Sequence, residues 1–253
     1  EPFIYFCGNS LGLQPDTAEQ YLQEELEAWK MLGVEGHLNA KRPWLPYHEL
    51  LTQYTSEISG ALEKEVVVMN SLTVNLHLLM TSFYRPKGKR KKILMENNAF
   101  PSDRYAVQSQ LKIHGCHPVD DLMILNPDEG ETITTNWILD CFEHHGNEIA
   151  MVLIGGVNYY TGQAFDMEAI TRKAHEYCCL VGFDLAHGAG NLQLKLHDWD
   201  VDFSAWCGYK FLNGGPGAPS GVFIHERHLG KPDIPRFEGW WGHDKSTRFQ
   251  MPD

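Results

Sequence analysis

Lys210 stands between Tyr209 and Phe211, just ahead of the glycine-rich stretch Asn213, Gly214, Gly215, Pro216 and Gly217. Upstream of it an apolar run, 179–183, ends in Asp184, Leu185, Ala186 and His187. An amine adds to carbonyls and accepts protons, a carboxylate holds a cation, and an imidazole does proton work near neutrality. A run of that length reads as a strand buried on both faces, so Asp184 is expected at a strand end, where open α/β sheets hold their ligands. The next apolar run, 203–209, reads as another strand that delivers Lys210 to the same edge. Asp, His, Tyr and Lys would then converge. Taken singly, Asp184 is an ordinary turn cap and Lys210 a solvated loop lysine. Flanked by two aromatic residues between apolar strands, however, this lysine is expected to be buried, and a buried ammonium without a partner charge or a covalent role is costly.

Three chemistries use such a set. Pyridoxal phosphate fits best: a lysine amine condenses with the cofactor aldehyde, and an acid against the ring nitrogen keeps it protonated, so that the ring accepts charge from the substrate α-carbon. Lys210 and Asp184 match those roles. A metal pair of Asp184 and His187 lacks a third ligand at a diagnostic interval, and His144 and His145 fall on an expected surface helix, so no metal is expected. A hydrolase built on Ser204 or Cys207 with His187 lacks a nucleophile-elbow sequence, and both residues fall inside an expected strand.

The wider pattern resembles a known family. Gly182 to Asn191 (GFDLAHGAGN), then Leu196, His197, Asp198, Trp199, Asp202, Phe203, Trp206, Cys207 and 209–213 (YKFLN), are similar to kynureninase, a fold-type I pyridoxal phosphate enzyme. Segments 5–15, Gly36 with His37, 41–44, 70–79, 100–103 and 159–162 follow in the family's order, so the resemblance covers essentially the whole chain. It implies an α/β fold with a mostly parallel central sheet flanked by helices. Residues 46–253 would be the large cofactor-binding domain, 1–45 an N-terminal segment and helix, and a C-terminal small domain would be missing. It implies hydrolysis of L-kynurenine or 3-hydroxykynurenine at the Cβ–Cγ bond to anthranilate or 3-hydroxyanthranilate plus alanine, in a homodimer.

Site residues follow from the same resemblance. Lys210 and Asp184 are catalytic. Leu72 and Thr73 meet the cofactor phosphate with Tyr209; Phe100 stacks on the ring, Asp103 approaches its polar edge, and Pro101 and Ser102 are further cofactor contacts. His187 is a further cofactor contact and Trp240 a phosphate or substrate neighbour, while His37 and His243 lie on the substrate side. At Gly155 the family often has a serine, so here only backbone is expected to approach the cofactor. Two alternatives share these residues: another fold-type I enzyme, cysteine desulfurase-like or an aminotransferase, and a non-catalytic truncated form that pairs with full-length subunits.

The elements that must position these residues alternate. Helices are expected over 17–32, 46–62, 72–83, 100–111, 134–145 and 167–177, with strands over 66–69, 93–95 and 149–154. The start of the helix at 72–83, with Asn70, Ser71 and Thr73, is an anion site in waiting, because its first N–H groups lack helical partners. The basic run 87–92 reads as a solvated turn. A net charge of −12 argues against nucleic acid or an anionic membrane as partner. No apolar run approaches a membrane span. Six cysteines without CxxC spacing suit a reducing, cytoplasmic compartment. The expected partner is a small amino-acid substrate.

Overall fold

The computed structural model describes residues 4–128 and 130–251. The elements in chain order are α1 (Ala18–Leu32), α2 (Gly36–Asn39), α3 (Thr52–Ser59), β1 (Val66–Met69), α4 (Leu72–Phe83), β2 (Lys92–Glu96), α5 (Pro101–Ile113), β3 (Leu122–Leu125), α6 (Thr135–His145), β4 (Ile149–Gly155), α7 (Met167–Glu176), β5 (Leu180–Asp184), β6 (Phe203–Trp206) and β7 (Ser220–Ile224), with short 3-10 turns between some of them. The seven strands form one sheet in the order β1, β7, β6, β5, β4, β2, β3. Strands β3, β2, β4, β5 and β6 run parallel, while β7 runs antiparallel to both β6 and β1. The sheet is therefore mixed.

Strand β4 explains the layering. Because successive side chains of a strand point to opposite faces, Met151 and Leu153 join one core with Leu76, Met80 and Phe83 of α4 and Val107 and Leu111 of α5. Val152 and Ile154 join the other, with Ile138 and Phe142 of α6 and Ile170 and Ala174 of α7. All seven residues of β4 but Gly155 are buried, as a central parallel strand with both faces covered requires. Each fully buried Leu, Ile or Phe adds ~1.5–3 kcal/mol relative to exposure. The Phe83 and Phe203 rings stack at 5.0 Å between centroids and 16° between planes, fixing α4 to β6.

Local differences from the sequence pattern have local reasons. The run expected as a helix over 46–62 breaks into a 3-10 turn, Tyr47–Glu49, and the short α3, which stops at Gly60 in the left-handed region (φ 62). The strand expected over 203–209 stops at Trp206. Beyond it the chain turns, closed by Gly214 N–H donating to Gly208 O at 2.9 Å. Lys210 thus lies on a loop rather than at the end of a long strand. The apolar residues Leu22, Leu26 and Trp29 of α1 are exposed, so the described residues leave that face uncovered.

The end of the sheet opposite the candidate site is held by polar groups. Buried Asp202 accepts hydrogen bonds from Val181 N–H (2.7 Å) and Arg227 Nη2 (2.6 Å) and lies 2.9 Å from His175 Nε2 and 2.7 Å from His228 Nε2. Burial alone would raise its pKa; the His175, His228 and Val181 contacts hold it below the usual carboxylate range.

Candidate active site

Three adjacent parallel strands end in side chains or backbone that face one cavity: Glu96 is the last residue of β2, Gly155 of β4 and Asp184 of β5. The chain builds outward from β2 to β3, returns to the other side of β2 with β4, and then continues to β5 and β6. The cavity therefore opens at the switch point of the sheet, where the diverging connections leave a crevice. Its volume is about 560 Å³.

Two helix starts point into it. α4 begins at Leu72 after Ser71, and α5 begins at Pro101 after Phe100, with proline at a position that needs no N–H partner. Thr73 Oγ1 and Ser102 Oγ lie 2.9 Å apart and tie the two starts together. Both starts offer partial positive charge to an anion. Leu72, Thr73, Phe100, Ser102 and Asp103 all line the cavity, whereas Pro101 faces a neighbouring hollow beside Arg104 and Tyr105.

The loop after β6 supplies the amine. Lys210 is 9% exposed, its Nζ 2.9 Å from His187 Nε2 and 5.7 Å from the centre of the Phe100 ring. Phe100 in turn meets Tyr159 edge-on at 5.2 Å. Contact with the Cys207 thiol, then burial, pushes the Tyr209 phenol up to about 12, so it keeps its proton at neutral pH. Burial, then the neighbouring Lys210, lowers the pKa of His187.

Three carboxyl groups face this amine. Asp184 is buried and accepts a hydrogen bond from Ala186 N–H at 2.7 Å. Burial, then the charge of Asp184 and a hydrogen bond to it, raises Asp103 well above the usual range. Burial pushes Glu96 up to about 7, against the opposing pull of the Gly155 N–H, and Asp184 adds to the rise. Like charges this close cannot all ionise in a buried site. Asp103 Oδ1 and Glu96 Oε2 are buried without a hydrogen-bond partner among the described residues. Buried polar atoms left unpaired in a cavity wall mark a place where a polar ligand is expected.

Glu96, Asn9 and Ser10 were not expected from the sequence. Glu96 carries the same signal as Asp184, a carboxylate closing an apolar run, over a shorter stretch. Asn9 and Ser10 carry no local signal. Gly12 N–H donates to Tyr209 O at 2.8 Å, Asn9 O lies 3.0 Å from His187 Nε2, and the N-terminal segment thereby closes one side of the cavity.

His37, Trp240 and His243 do not join this cavity. His37 and Trp240 line a separate groove with Trp44, Trp241 and Phe249, and His243 Nε2 pairs with Thr247 Oγ1 at 3.0 Å. Aromatic contacts gather that groove: His37 meets Trp44 at 5.6 Å, and Trp240 meets Trp241 at 5.5 Å and Phe249 at 5.6 Å. Another cluster, Glu65, His197 and His225, has the donor types of a metal site. Its atoms are engaged, though. Glu65 accepts from Leu62 and Glu226 N–H at 2.8 and 2.7 Å, His225 Nδ1 accepts from Arg227 N–H at 3.1 Å, and the two imidazoles stack at 5.0 Å. We read it as a clamp between the start of β1 and the end of β7.

The aminotransferase class-V family model matches residues 13–232. The kynureninase of Myxococcus xanthus (strain DK1622) is 60% identical over 252 residues, 99% of this chain and 59% of that protein. That of Koribacter versatilis (strain Ellin345) is 58% identical over 98% of this chain and 59% of its own length, and that of Nematostella vectensis 53% over 98% and 54%. The chain thus spans 59% of the length of the first two of these relatives. Among solved structures, a C-DES variant with glycine covalently linked to its PLP cofactor aligns with a TM-score of 0.78 at 19% identity, over 93% of this chain and 60% of that one. An apo cysteine desulfurase from Thermococcus onnurineus NA1 aligns with a TM-score of 0.65 at 18% identity, over 88% and 54%. At such identity these structures speak for the fold alone.

Proposed function

Because this chain belongs to the aminotransferase class-V family, we propose that it carries the catalytic core of a pyridoxal phosphate-dependent hydrolase. The proposed reaction cleaves L-kynurenine and 3-hydroxykynurenine at the Cβ–Cγ bond, giving anthranilate or 3-hydroxyanthranilate plus L-alanine. The observation that carries this reading is the meeting of the buried Lys210 amine with Asp184 in one cavity. High identity to kynureninases over nearly the whole chain supports the choice of substrate.

When bound, pyridoxal phosphate supplies an aldehyde to react with an amine and a ring that spreads negative charge formed at the substrate α-carbon. The residues present fit it. Thr73 with the N–H groups opening α4 and α5 would hold the phosphate, and the protonated Tyr209 phenol would donate to it. Phe100 offers an aromatic face. Asp184 would hold the ring nitrogen, and the partnerless Asp103 Oδ1 gives the ring's polar edge a hydrogen-bonding group. Lys210 Nζ would bind the aldehyde carbon and, once displaced by the substrate amine, take the α-proton as general base. His187 beside it stays neutral at neutral pH, since burial and the lysine both oppose its protonation.

We read 46–253 as the cofactor-binding unit and 1–45 as a segment that closes one side of it. A homodimer in the cytoplasm is part of the same proposal, supported by the free state of all six cysteines and the uncovered apolar face of α1. Among the described residues no helix is long and apolar enough to cross a membrane. The test is product analysis. With pyridoxal phosphate and 3-hydroxykynurenine, 3-hydroxyanthranilate and alanine are expected in equal amounts, and Lys210→Ala should lower turnover at least ~1,000-fold. Near-normal turnover by that variant would refute the assignment.

A further inference from the structure

Glu96 is 4% exposed at the end of β2. Its Oε1 accepts a hydrogen bond from Gly155 N–H at 3.1 Å, and its Oε2 has no partner among the described residues. A Cβ at position 155 would stand 3.0 Å from that Oε1, so the glycine leaves the room the carboxyl occupies. Titratable neighbours face it from every side: Asp184 on β5, Asp103 on α5, His187, Tyr209 and Lys210 across the cavity, and Arg104, Tyr105 and Tyr159 in the adjoining hollow.

Resting on the pyridoxal phosphate reading above, we propose that Glu96 is a positioning residue: beside Asp184 it adds a second, titratable negative charge, and so tightens the hold on a cation such as the cofactor ring nitrogen as the pH rises. Asp184 supplies the direct partner. Glu96 acts through the field it adds from a buried position, where a charge is felt more strongly than in water. Burial, with Asp184 adding to it, holds its proton on up to about pH 7. Below that the group is neutral and adds nothing; above it the ionised form attracts the cation, and the cation in turn favours the ionised form.

Glu96→Gln separates charge from shape, because the amide oxygen still accepts from Gly155 N–H and the side chain cannot ionise. Pyridoxal phosphate affinity is measured for both proteins through the Lys210-dependent absorbance band that borohydride abolishes. The two should bind within about 2-fold of each other near pH 6, and the unmutated chain ~10-fold more tightly near pH 8.5. A ratio that stays flat while both proteins bind overturns the inference and leaves the cofactor reading intact. No band in either protein overturns the cofactor reading, and this inference with it. A measurement on the unmutated chain stands beside these in case the variant does not fold. The infrared carbonyl band of buried protonated acids, to which Asp103 also contributes, should lose one component as the pH passes about 7 without cofactor, and at lower pH with it; a component whose midpoint does not move overturns the proposal.

Discussion

The amine nitrogen of Lys210 and the asparagine carbonyl of Asn9 compete for one atom, His187 Nε2, at 2.9 and 3.0 Å. If Nε2 carries the hydrogen, it donates to Asn9 O and cannot accept from the amine. If the ammonium donates to Nε2, that nitrogen has no hydrogen for Asn9. The tautomer of the histidine, its pairing with the lysine and the seating of the N-terminal segment are therefore one coupled choice.

His187 should make the fold sensitive to acid. Its pKa is depressed by burial and then by Lys210, so below the ordinary histidine value the unfolded chain binds a proton that the folded chain resists. Stability then falls as the pH drops through that region. Urea denaturation of His187→Gln between about pH 7.5 and 5 should show a shallower fall than the unmutated chain. Parallel curves would remove His187 from this role.

Glu96 works in the opposite sense. Its folded pKa is raised to about 7, so the stability it lends is full below the unfolded value and is lost as the pH rises through about 7. Glu96→Gln should therefore gain on the unmutated chain by ~2–3 kcal/mol between about pH 4.5 and pH 7.5, the order given by a shift of that size. Equal pH dependence in the two proteins would show that the group ionises freely.

Gly12 tests the seating of the N-terminal segment. A Cβ there would lie 2.2 Å from both Lys210 O and Asn213 Oδ1. Gly12→Ala should push the segment off the lysine loop and weaken pyridoxal phosphate binding ~10-fold, while the melting temperature, set by the sheet and its two cores, moves by only about 2 °C. Unchanged affinity would make the segment a bystander.

Asp202 tests the far end of the sheet. With one partner of a buried polar network removed, Asp202→Ala leaves the Val181 N–H unpaired and Arg227, His175 and His228 without their shared acceptor. A loss of ~3–5 kcal/mol in chemical denaturation is expected. A loss below about 1 kcal/mol would mean that water replaces the carboxylate.

Local pattern in the chain was enough for most of the elements, though not for β3 or β7, and for part of the site. The apolar run before Asp184, the start of α4 at Leu72 and the lysine between two aromatics are short-range signals, and burial on both faces follows from composition alone. Strand β7 and the break of β6 at Trp206 were not legible, because an antiparallel return after a glycine-rich turn depends on pairing with β1 and β6. Only the tertiary structure brought Glu96 beside Asp184, since the parallel alignment of β2, β4 and β5 puts three strand ends side by side. Only it set Asn9 against His187, 178 positions apart, and gathered His37 and Trp240 into a different groove. Periodicity and propensity act over a few residues, whereas the field at a buried carboxyl is made by whatever the fold carries within several ångströms of it, whatever the distance along the chain.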